Sequence, residues 1–250
     1  MSTSPKERRK QSGFSLIELA IVLVIIGLLI GGGIAALQTT TERQQRSEQR
    51  EQLRAIQEAL YGYAISNSRL PCPDLSFDPN APPDSRIGEE DRDADGQCVE
   101  AEGTLPWAEI GLGARDAWGN RLRYRVHPQY ARTQGNGPPF DLEPDGNNQL
   151  RVYEHFQEDR LIAKEIPALV VSYGPEGSRF WSGNTFNCPA LGQGLSIESV
   201  ENCDRDSPVF YDPGYRSDQG DGEGGFRQML VWLSNPVFKG RMVEARRLPR

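Results

Sequence analysis

Apolar residues along this chain gather in one long run and several short ones. The long run opens at Phe14 and reaches Leu37, and Leu19 to Leu37 is 19 residues without a charge. At 1.5 Å per residue, Phe14 to Leu37 makes about 36 Å of helix, enough to cross a hydrocarbon core of roughly 30 Å. Past Gln38 the pattern changes. Residues 42–58 are rich in Gln, Glu and Arg, while Leu53, Ile56, Leu60 and Tyr63 recur at spacings of 3, 4 and 3, one face of a helix lying in water. Pro71 and Pro73 stop it near Ser66. The pattern predicts one helix, apolar all round over 14–37 and amphipathic over 38–66, whose apolar stripe needs a sheet to cover it.

From residue 67 the periodicity shortens. Arg121–Val126 alternates basic with apolar residues after a Gly119-Asn120 turn, which predicts a strand with Leu122, Tyr124 and Val126 facing inward. Leu150–Phe156, Ala168–Tyr173 and Phe226–Leu233 are further strand candidates, and Trp118 reads as core. Ser234 and Pro236 predict the start of a short helix with Val237, Phe238, Met242 and Val243 on its apolar side. Residues 72–104, 133–148 and 174–225 read as loops. The expected class is α+β: a long N-terminal helix packed on an antiparallel β-sheet head, residues 67–250, with long disulfide-closed loops.

Charge adds orientation. Lys6, Arg8, Arg9 and Lys10 precede the apolar run, and basic residues ahead of a single span keep the N-terminus in the cytoplasm and send the rest across. The expected location is a single-pass inner-membrane protein with a periplasmic head. Residues 1–13 carry a net +3, so a chain of net charge −7 becomes −10 without them. An acidic external part argues against nucleic acid as a partner. Glu18 breaks the apolar run in its second turn. A carboxylate there costs roughly 2.5–3.5 kcal/mol at mid-membrane, and an intramembrane acid calls for a partner. Gly31-Gly32-Gly33 either permits close helix packing or is a tolerated run of small residues.

Four cysteines, Cys72, Cys98, Cys188 and Cys203, all follow the span. An even count in an oxidising compartment reads as two disulfides, with three pairings open. Cys72–Cys98 and Cys188–Cys203 are favoured because each closes a local polar loop; buried free thiols are the alternative. With no C-x-x-C and only His127 and His155, zinc is not indicated. Asp91-Arg92-Asp93-Ala94-Asp95-Gly96, with Glu102 further on, fits the D-x-D-x-D-G-x5-E calcium loop. Asp91, Asp93 and Asp95 would each give one oxygen, Gln97 its carbonyl, and Glu102 a bidentate carboxylate. The flanking prolines do not look like EF-hand helices, and a solvated acidic loop is the plainer reading. Calcium is the one cofactor these residues suggest, and none is required. Asp141, Asp145 and Asn147 form a weaker alternative ligand set.

Lys10-Gln11-Ser12-Gly13 followed by Phe14-Ser15-Leu16-Ile17-Glu18-Leu19 resembles the class III signal of type IV prepilins and type II secretion pseudopilins. The resemblance implies that prepilin peptidase cuts between Gly13 and Phe14 and N-methylates Phe14. It implies that Glu18 pairs with a neighbouring subunit's terminal amine during assembly. It further implies other pilin or pseudopilin subunits and an inner-membrane assembly platform as partners. Asp116-Ala117-Trp118-Gly119-Asn120 with Tyr124 resembles a stretch in the head of the major pseudopilin. Pseudopilins also bind calcium through an acidic loop near the C-terminus, and Asp218–Glu223 shares that broad character only. Within that resemblance, the large head implies a minor subunit or specialised pseudopilin rather than a major structural pilin.

No G-x-S-x-G, HExxH, P-loop or dinucleotide fingerprint occurs, and the two histidines stand apart. The expected function is therefore structural rather than enzymatic: a minor pilin or pseudopilin of a type IV pilus or type II secretion filament. The alternative is a membrane-anchored or surface adhesin outside a filament.

Overall fold

The structure, a computed structural model, describes residues 15–78, 81–133, 150–157, 160–182, 185–216 and 224–247, with backbone alone over 28–39. The chain divides into two compact units between Arg46 and Ser47. Helix α1, Leu16–Asn67, is 52 residues long. Its last described turn is closed by Asn67 Nδ2 donating to Tyr63 O (3.0 Å). Ser68 then takes the left-handed conformation that ends many helices, with φ 57°. Among the described residues no helix is long and apolar enough to cross a membrane. The expected span, Phe14–Leu37, lies partly outside them: described side chains of the apolar run stop at Gly27.

In the second unit, β1 (Glu102–Thr104), β2 (Arg123–Val126) and the four-residue helix α2 (Pro128–Ala131) come first. They are followed by β3 (Leu150–Tyr153), β4 (Leu161–Ile166) and β5 (Ala168–Ser172). A 3-10 turn at Gly174–Glu176 leads into α3 (Gly177–Phe180), β6 (Trp181–Ser182) and β7 (Thr185–Phe186). The chain closes with α4 (Ile197–Glu201), β8 (Val209–Tyr211), β9 (Met229–Trp232) and α5 (Asn235–Glu244).

One sheet runs β1-β2-β5-β9, wholly antiparallel, with Tyr124 opposite Val170 and Val170 opposite Val231. Ala168 and Val170 face α1 and join Leu53, Ile56, Leu60, Ala64, Tyr124, Phe238 and Met242 in one core. Leu169 and Val171 face the other way, into a second core with Leu150, Val152, Ile166, Phe180 and Phe210. Strand β5 is thus buried on both faces, which is why it reads as an unbroken apolar run rather than an alternation. The second core is covered by a sheet of order β4-β3-β8. Here the expectation of purely antiparallel pairing fails, because β3 and β8 run parallel.

Strand β4 was not legible as a strand: its charged Lys164 and Glu165 interrupt the apolar positions, and its pairing with β3 shifts register. Trp118 is half-buried rather than core; its turn is held by the Asp116 carboxylate, which accepts from the Trp118 N–H. Val237 is exposed, while Phe238 and Met242 carry the buried side of α5.

Candidate assembly segment and the carboxylate clamps of the head

The first unit offers one polar feature among its described apolar residues. Ser15 and Glu18 form a reciprocal cap at the start of α1: Glu18 N–H donates to Ser15 Oγ (3.3 Å) and Ser15 N–H to Glu18 Oε2 (3.4 Å). Ser15-Leu16-Ile17-Glu18 is an S-x-x-E capping box, a signal the sequence itself carries alongside the intramembrane position of the acid. Both bonds are long, and the carboxylate retains acceptor capacity for a further donor. Around it Leu16, Ile17, Leu19, Ile21, Val22, Leu23 and Val24 are exposed. Gly13 and Phe14 lie outside the described residues, as do Asp141, Asp145, Asn147 and Asp218–Glu223.

In the second unit the chemistry lies in carboxylates fixed by cations. Cys72–Cys98 closes the first loop and Cys188–Cys203 the second. Inside the first, Glu90 accepts from Arg69 at 2.6 and 2.8 Å, Arg92 at 2.8 Å, the Cys72 N–H at 2.9 Å and Tyr63 Oη at 3.2 Å. Burial pushes its pKa up, but these donors outweigh burial and hold it at about 2. The clamp ties the end of α1 to the loop beside the disulfide.

The five residues of the calcium pattern do not converge. Asp91 Oδ2 accepts from Leu75 N–H (2.6 Å) and Ser85 Oγ (2.8 Å), and burial raises its pKa. Asp93 Oδ1 caps its own turn, accepting from Asp95 N–H (3.0 Å) and Gln97 N–H (2.8 Å). Gly96 does supply the turn, with φ 75°. Glu102 is turned away onto β2, where it pairs with Arg123 and, at 2.7 Å, with Arg125. The cause is the strand register, which sets Glu102 opposite Arg125. Among the described residues no group of three or more His, Cys, Asp or Glu is placed to hold a metal ion. This geometry does not fit calcium at the pattern's five positions.

Arg123 was missed altogether. It is only 2 % exposed, lies over the Phe186 ring at 3.7 Å, and burial pulls its pKa down to about 10. A third fixed carboxylate, Asp116, accepts from Trp118 N–H (3.0 Å), Asn120 N–H (2.8 Å) and Ser172 Oγ (2.7 Å). Gln49 of α1 takes the neighbouring Ala117 N–H at 2.8 Å. The Asp116–Asn120 turn is therefore the joint between helix and sheet. Each of these groups is engaged by protein partners, as ion pairs or hydrogen bonds that fix one part of the head to another.

Residues 8–34 match the prokaryotic N-terminal methylation motif. The chain is 31 % identical over 85 residues to the type II secretion system core protein G of Aeromonas hydrophila, covering 32 % of this chain and 59 % of the relative. Against the same-named protein of Klebsiella michiganensis it is 30 % identical over 89 residues, 34 % of this chain and 63 % of the relative. The Vibrio cholerae counterpart is 33 % identical over 73 residues, 29 % of this chain and 50 % of the relative. The chain thus spans about three fifths or less of the length of these curated relatives. No solved structure matches it. The methylation motif overlaps the start of α1, the helix that leads into the α+β head. The chain thus carries a prepilin-type methylation motif and is similar, over about a third of its length, to pseudopilins of type II secretion systems.

Proposed function

We propose that this chain is a minor pilin or pseudopilin, a subunit of a type IV pilus or type II secretion filament. The methylation motif over residues 8–34 carries the reading, and the similarity to core protein G supports it. In this account the basic leader keeps the precursor in the inner membrane with its head in the periplasm. Prepilin peptidase cuts between Gly13 and Phe14 and methylates the new amine, which stays charged. The subunit then leaves the bilayer, and its apolar segment packs against those of neighbouring subunits. Glu18, with acceptor capacity left over from its cap, takes a neighbour's amine, which offsets the cost of burying the acid. The fibre presents the head.

Mass spectrometry of the N-terminus, from membranes and from sheared filaments, tests this. An N-methylated Phe14 is the expected result. An intact Met1 in both fractions, or a start near Ala36, would overturn it.

A further inference from the structure

Strand β9 ends its sheet, and its outer edge is only partly covered. Leu233 N–H donates to Ala168 O (2.9 Å), so residues 229, 231 and 233 turn their backbone groups toward β5, and residues 230 and 232 turn theirs outward. Trp232 O meets Gln57 Nε2 of α1 at 2.7 Å. Among the described residues Leu230 N–H, Leu230 C=O and Trp232 N–H have no backbone partner on that edge, and Leu230 lines a cleft of about 400 Å³ between β9 and α1. By contrast the outer edge of β8 is closed within the fold: Asn202 takes Tyr211 N–H (2.7 Å) and gives to Tyr211 O (2.8 Å).

The helix wall of the cleft carries Arg50 and Arg54, both exposed, with Leu53 on its floor. Neither arginine forms an ion pair among the described residues. The opposite wall has one carboxylate, Asp212, which accepts from Gly214 N–H (3.2 Å). Arg50 and Arg54 are one helical turn apart, about 6 Å along the axis. Two residues of a β-strand advance about 6.6–6.8 Å. A strand laid along β9 would therefore bring every second side chain to successive guanidiniums.

We propose that this cleft is a strand-addition site, and that its occupant is an extended acidic segment of another protein, with carboxylates two residues apart. Backbone pairing to Leu230 and Trp232 supplies affinity, and the two arginines select the sequence. A second copy of this chain is a poorer fit. Its exposed acid-x-acid pairs among the described residues, Asp93/Asp95 and Asp204/Asp206, are folded into tight turns by their own hydrogen bonds. The inference goes beyond filament assembly and does not depend on it.

The test uses the full-length chain in detergent micelles and a fluorescein-labelled peptide of alternating glutamate and valine, followed by anisotropy. Binding is expected, with affinity falling about tenfold or more in the Arg50→Glu/Arg54→Glu variant, and no binding of the lysine–valine counterpart. Thermal unfolding of the variant checks that it remains folded. Hydrogen exchange then separates strand addition from plain charge attraction: the Leu230 and Trp232 amides must slow on adding the peptide. Unchanged exchange at those amides, equal binding by the charge-reversed variant, or binding of the lysine peptide would each overturn the proposal. So would peptide-free dimers that the acidic peptide dissolves, since they would make a second copy the occupant.

Discussion

The two units of this chain place polarity in opposite ways. In the first, large apolar side chains stand in the open: Leu16 is 92 % exposed and even Ile26 is 44 % exposed. In the second, charges are buried: Glu102 is 6 % exposed and Arg123 2 %. A helix apolar on every side has no internal means of covering itself and needs lipid or other helices. The buried charges described in the head, Glu102, Arg123 and Asp116, have counter-charges or hydrogen bonds within the fold. On the proposed function, assembly information sits in the segment whose apolar side chains stand exposed, and stability sits in the pairs the head satisfies.

The variant with the largest expected effect acts on the first unit alone. Gly13→Val should leave the precursor uncut, so that all of the chain retains its leader by mass spectrometry and none enters sheared filaments. The head should be untouched. All four tryptophans, Trp107, Trp118, Trp181 and Trp232, follow residue 46, so denaturant unfolding followed by tryptophan fluorescence reports on the head and should be unchanged. A normal filament yield would break the division of roles.

The next effect is confined to the head. Glu102→Ala leaves the Arg123 guanidinium buried without its carboxylate, and removing one member of a buried pair costs about 3–5 kcal/mol. The Glu102→Leu/Arg123→Met variant should recover most of that loss, since apolar residues of similar size replace such pairs well. Equal losses in the single and double variants would mean that packing, not charge, is at stake.

That pair also shows where sequence reading stops. The spacing of Leu53, Ile56 and Leu60 gave the buried face of α1, and the alternation at Leu122, Tyr124 and Val126 gave the inner face of β2. Alternation says which residues share a face, but not whether the other face is also covered. Here Phe186 and Cys203 O cover Arg123, and they come from loop-rich sequence with no period to read. Glu102 misled for a related reason. Its distance from Asp91 along the chain suits a calcium loop, but its partners lie more than twenty residues on, across a strand pairing that local spacing does not encode. The helix and the strands β2, β5 and β9 followed from local pattern, whereas β1 lies in a stretch read as loop. The second sheet and the ion pairs depend on contacts between distant segments.

The first disulfide should rank just below the buried pair. Cys72 and Cys98 are 26 residues apart, and in the chain-entropy account a loop of that length contributes about 3.5 kcal/mol. The Cys72→Ala/Cys98→Ala variant should lose about that much in denaturant unfolding. A much smaller loss would show that the Glu90 clamp beside it holds the loop alone. Glu90 itself gives a pH signature. Its pKa stands at about 2 in the fold against an ordinary 4.5, so its stabilisation is full above pH 4.5 and is lost as pH falls through 2. Because solvent screens part of the clamp, roughly 2 kcal/mol is the expected size. In Glu90→Gln that acid-side slope should vanish, and a slope that persists would assign it to other carboxylates.

The smallest effect bears on calcium. Asp93 is exposed and its oxygen caps the turn through Asp95 and Gln97, so Asp93→Ala should cost only about 1 kcal/mol, the value of a lost cap. The loss should be the same with millimolar calcium as with chelator, because Glu102 is committed to Arg123 and Arg125 and Asp91 to Leu75 and Ser85. Calcium stabilisation that disappeared in both Asp93→Ala and Glu102→Gln would mean that the ion can pull Glu102 off two arginines. The head would then draw part of its stability from outside, and the contrast between its two units would no longer stand.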